Sequence, residues 1–194
     1  DDNENLIENS ATFSGIVDGQ SKTQIASDKA NLPNTILVKD NIDPNGTVKN
    51  YYDFAGNQLY WRVRINQNHA NIAAGAVLTD TVPTHTTFDQ LVSVKQIPRN
   101  SDGSDGTATP YPVNKSVPSD GSEESISIGS QTVKMKNDGF DTSDAENPRQ
   151  KVQFKFESAF YDTYELVFTT KVDDTYRTTM GKNLSTAYPF TNDS

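Results

Sequence analysis

Short runs of alternating side chains, broken every few residues by clusters of Asn, Asp, Gly, Ser and Pro, restrict this chain's folds more than any other feature. Successive side chains of a strand point to opposite faces, whereas an amphipathic helix repeats its apolar residues three and four positions apart. "YWRVRIN" (60–66) sets Trp61, Val63 and Ile65 on one face and Tyr60, Arg62 and Arg64 on the other. "AVLTDTVP" (76–83) groups Ala76, Leu78 and Asp80, which puts an acid in line with the apolar set or close to the strand's end. "KVQFKFES" alternates Val152, Phe154 and Phe156 with Lys151, Gln153 and Lys155, and "TYELVFTTKV" continues the habit. No run holds a helical period for more than two turns. The pattern predicts an all-β protein, a sandwich or a barrel.

Punctuation divides the chain. Residues 1–33 are mostly polar and read as an extension or linker with at most a weak strand around "TFSGIV"; residues 34–194 carry the strand pattern. "RNSDGSDGTATPYPVNKSVPSDGS" (99–122) reads as a long exposed insertion with little regular structure. "ISIGSQTVKMK" reads as a hairpin turning at Gly129–Ser130, and "NDGFDTSDAENPRQ" as a second acidic loop with room for one helical turn.

Composition excludes several functions. Twenty-six acids against 17 bases leave a net charge of −9, which disfavours nucleic acid and anionic membrane surfaces as partners. There are no cysteines, which removes disulfides, thiolate catalysis and Cys-based metal sites. An apolar share of 33% suits a thin core with a large wetted surface, and no long apolar run suggests membrane insertion. His69 and His85 fall in or beside predicted loops and read as surface polar residues. A metal site wants more ligands at defined spacing. "DNIDPNG" and "SDGSDG" lack the ligand pattern of a calcium loop and read as turns. No phosphate loop, dinucleotide fingerprint or nucleophile elbow is present, so neither a cofactor, a metal nor a conventional enzyme is expected.

One constellation spans the chain: Lys49 in "GTVKNYYDF", Asp80 in "AVLTDTVP" and Asn183 in "GKNLSTAYPF". The order and character of these runs, with "YWRVRIN" between the first two and "TYELVFTTKV" before the last, resemble the collagen-binding-type adhesin domains of Gram-positive surface proteins. The resemblance covers roughly residues 34–192. It implies an immunoglobulin-like β-sandwich with long acidic loops, standing outside the cell as part of a longer, cell-wall-anchored multidomain chain. Its partner would be a host matrix protein or glycan. Many such domains carry an intramolecular isopeptide bond between a Lys on the first strand and an Asn on the last, assisted by an acid. Carried over here, Lys49 donates the amine, Asn183 the carboxamide, and Asp80 assists once, in autocatalytic maturation and not in turnover. Lys39 in "TILVKD" is a rival amine and Asp53 a weaker rival acid.

The expected function is attachment, as a ligand-contacting module or a rigid stalk segment, with the loops between 99 and 150 as the ligand-facing parts. Two other classes fit a polar sandwich. A carbohydrate-binding module of a secreted protein would need a flat aromatic platform, for which Tyr51, Tyr52, Tyr111 and Tyr161 are candidates. A structural pilin or surface-layer module would need a free edge or a donor strand.

Overall fold

The structure, a computed structural model, describes residues 6–17, 20–31 and 36–179. The chain divides into two units, residues 1–35 and 36–194. In the first, β1 (Leu6–Val17) and β2 (Gln20–Asn31) pair antiparallel from Leu6↔Asn31 to Val17↔Gln20. Residues 6–17 and 20–31 therefore form more than one weak strand: β1 carries Leu6, Ile7, Thr12, Phe13, Ile16 and Val17, whereas β2 has only Thr23 and Ile25 among polar residues.

The second unit is an all-β, immunoglobulin-like sandwich of two antiparallel sheets. Five strands make one sheet, in the order β3 (Leu37–Ile42), β4 (Gln58–Ile65), β11 (Thr163–Val172), β6 (Thr86–Ile97), β7 (Thr109–Lys115). Four make the other, in the order β5 (Val77–Thr81), β10 (Arg149–Phe156), β9 (Gln131–Asp141), β8 (Glu124–Ile128). A short helix, α1 (Asp174–Thr179), follows β11.

Alternation sends one set of side chains from each sheet into the shared core. From the five-stranded sheet come Leu59, Trp61, Val63, Leu91, Val94, Leu166 and Phe168. Ile126, Ile128, Val133, Met135, Val152, Phe154 and Phe156 meet them from the other. Phe88, Phe154 and Phe168 pack with ring centroids 5.5–6.4 Å apart, which ties β6, β10 and β11 across the layers.

Two loop readings change. Residues 99–122 contain β7, an edge strand paired to β6 with Pro110 opposite Lys95 and Pro112 opposite Ser93. Proline lacks the N–H a central strand must donate, so an edge is where such a segment can pair. Residues 137–141 belong to β9, and the turn that follows contains no helix. The hairpin at Gly129–Ser130 forms as expected, joining β8 to β9.

Candidate functional site

Lys39 lies on the edge strand β3 opposite Val63 of β4, whose side chain is in the core. Lys39 shares that inward face, and its side chain is only 5% exposed. Its Nζ sits 5.6 Å from the centroid of the Trp61 ring and 5.6 Å from that of Phe168. Asp80 comes from the opposite sheet. On β5 it occupies the inward row between Leu78 and Val82, is 1% exposed, and pairs across to Val152 of β10. Lys39 Nζ donates a hydrogen bond to Asp80 Oδ2, so an amine from one sheet meets a carboxyl from the other inside the sandwich.

Such a pair is costly to bury. Desolvating an ammonium and a carboxylate costs several kcal/mol each, and only close, well-oriented partners offset it. The aromatic walls add an attraction to the cation. Trp61 is itself fixed: its Nε1–H donates to Thr170 Oγ1 at 3.0 Å, a bond between two buried side chains.

Of the two candidate amines, Lys39 and not Lys49 reaches Asp80. Lys49 lies in the loop after β3, where its side chain is half exposed and its Nζ is 2.7 Å from Asp43 Oδ2. That bond, with the backbone N–H groups of Thr47 and Asn45, holds the Asp43 carboxyl below the usual aspartate range. Lys49 therefore closes the "DNIDPNG" turn. Asp53, the weaker rival acid, caps its own turn by accepting the Ala55 N–H at 3.0 Å. Asn183 lies outside the described residues.

Two polar centres escaped the reading of the sequence. His69 is buried, not on the surface. Its Nδ1 is 3.0 Å from the Tyr161 carbonyl and its Nε2 2.7 Å from Asp105 Oδ1, which pins the loop after β6 to the loop after β4. Beside it the fully buried Asn66 donates from Nδ2 to the carbonyls of Ala70 and Tyr161. Both residues have positive φ, 63° for Asn66 and 52° for His69, and an "N-x-x-H" stretch ending a strand was the available signal. His85, by contrast, is exposed and stacks on Tyr176 at 4.0 Å.

The second centre is Glu165, on the outer face of the five-stranded sheet yet 3% exposed. Arg64 Nε bonds it at 2.7 Å and Lys95 Nζ at 2.8 Å. Burial pushes the Glu165 carboxyl up; the bonds from Lys95 and Arg64 outweigh it and hold the group below its ordinary 4.5. Arg64 was legible on β4's wet face, but the buried acid opposite it was hidden inside the apolar-looking "TYELVF".

The four tyrosines form no single flat platform. Tyr51 meets Tyr60 edge-on at 60°, and Tyr52 and Tyr111 pack against the core. Tyr161 lies by Asn66, six residues along from Tyr60 and so about 20 Å away. The acidic loops are likewise spread. The 98–108 segment leaves the end of the sandwich where Ile97 meets Thr163, whereas residues 142–148 lie near Thr81 and Gln150, by the start of β6. Among the described residues no group of three His, Cys, Asp or Glu side chains could hold a metal ion, and no helix is long and apolar enough to cross a membrane. No family model matches the chain, and no curated protein or solved structure proves similar to it.

Proposed function

We propose that this chain is a load-bearing attachment module of a Gram-positive cell-surface protein, stiffened by an autocatalytic isopeptide bond from Lys39 to Asn183. The observation that carries the reading is the Lys39–Asp80 pair, buried between the sheets against Trp61 and Phe168. Asp80 takes a proton from the Lys39 ammonium. The neutral amine adds to the Asn183 carboxamide carbon; Asp80 delivers its proton to the amide nitrogen and takes a second from the adding nitrogen, the C–N bond to the amide nitrogen breaks, and ammonia leaves with Asp80 protonated. Confinement of the two groups between the sheets supplies the effective concentration. The reaction also ends the cost of a buried amine by turning it into a neutral amide.

Chain reach permits Asn183 as the acceptor. Thr179 ends α1, and four residues on from it span at most about 14 Å. The start of α1 is tied to the turn between β5 and β6, where Asp173 N–H donates to the His85 carbonyl at 2.8 Å. Asp80 is five residues upstream of His85 on that same strand and turn.

Intact mass decides. The reading expects the full chain to weigh about 17 Da less than its sequence, and Asp80→Ala to restore the full mass. An unmodified wild-type mass would remove the cross-link. A loss of about 18 Da, one water, would move the bond to the Asp80 carboxyl and remove Asn183 from it.

A further inference from the structure

Thr170 is fully buried in a row of apolar side chains on β11, after Leu166 and Phe168 and before Val172. Valine would fill the same volume without a hydroxyl to satisfy. Among the described residues the hydroxyl has one employment, accepting the Trp61 Nε1–H at 3.0 Å. Trp61 pairs directly with Phe168 across β4 and β11, and Thr170, two residues on, is its diagonal neighbour. The bond therefore sets how the indole turns about its side-chain torsions. Lys39 Nζ, on the next strand out, lies 5.6 Å from the indole so held and 5.6 Å from the Phe168 ring beside it.

We infer that Thr170 is a positioning residue for the cross-linking step, fixing the indole against which the Lys39 amine is held toward Asp80. It touches neither reacting group and acts through Trp61. The inference rests on the reading of Lys39 and Asp80 as cross-linking residues. Without the acceptor, the buried indole N–H must turn to find another, and the amine loses one of its two aromatic walls.

The test uses the full chain, purified soon after a short induction, with the fraction about 17 Da lighter followed over time. Thr170→Val is expected to form the bond roughly 10-fold more slowly or worse, and Thr170→Ser, which keeps the acceptor, at the wild-type rate. Trp61→Phe has no N–H to aim, so W61F and W61F/T170V should react at the same rate as each other. A merely structural role for Thr170 would slow both backgrounds alike. T170V at the wild-type rate, a slow T170S, or T170V slowing the W61F chain by the factor seen in wild type would each overturn the role while leaving the cross-link standing. A wild-type chain that stays at full mass would overturn the reading of the site and this role with it. Should T170V not fold by circular dichroism, T170S and the W61F pair decide the matter.

Discussion

Lys39 and Asp80 stand where a sandwich usually places valine or leucine, and each is tolerable largely because the other is there. Lys39→Met removes the amine that Asp80 pairs with in the core and should cost about 3–5 kcal/mol, apart from the lost cross-link. Adding Asp80→Leu to that variant should recover much of the loss, which urea unfolding midpoints of the single and double variants will show. Glu165 makes the opposite kind of prediction, because its partners face water. Its carboxyl titrates lower in the folded chain than in the unfolded one. Its contribution is therefore complete above the unfolded value, near 4.5, and is lost as pH falls through the lower folded one. Glu165→Gln should destabilise the protein by about 1–3 kcal/mol at neutral pH, discounted for the exposed Arg64 and Lys95. It should also flatten the fall in stability on acidification below that point, measured as urea midpoints against pH.

At the scale of elements, the tight hairpin between β8 and β9 offers a clean test. Gly129 has φ +58°, and a Cβ there would meet Gln96 Oε1 at 2.8 Å and Tyr111 Oη at 3.0 Å. Gly129→Ala should lower stability by about 1–2 kcal/mol from the left-handed backbone alone, read as a drop in thermal midpoint. This turn was legible because glycine and a two-residue gap between alternating runs leave few other geometries. Strands β4, β5 and β10 were legible for a related reason: one wet and one dry face write period two into the residues. Strand β7 was not, because an edge strand with Pro110 and Pro112 carries the composition of a loop. Strands β1 and β2 were hidden by their polar residues. The candidate site divides along the same line. Asp80 could be placed inward from its neighbours Ala76 and Leu78. Lys39 reads as the rival amine because Lys49 precedes the Trp strand at a separation closer to that of the resembled family, and "ILVKD" does not itself say which of its two faces is buried. Only the pairing of Lys39 with Val63 decides that.

Across the whole molecule, the proposed bond would join the first strand of the sandwich to a segment beyond its last described element. It would close a loop of more than a hundred residues, worth about 4–5 kcal/mol in the chain-entropy account of a cross-link. A cysteine-free chain would gain by this route the staple that a disulfide gives elsewhere. Wild type should accordingly unfold at a higher temperature than Asp80→Ala and migrate faster in denaturing gels, since a closed loop stays more compact than a linear chain. The most direct measurement is a tryptic digest of the wild-type chain read by tandem mass spectrometry. Trypsin needs a free lysine side chain, so the account predicts no cleavage after Lys39 and one branched peptide carrying both Lys39 and Asn183, lighter by one ammonia than its two parts. Two separate linear peptides, with ordinary cleavage after Lys39, would contradict it.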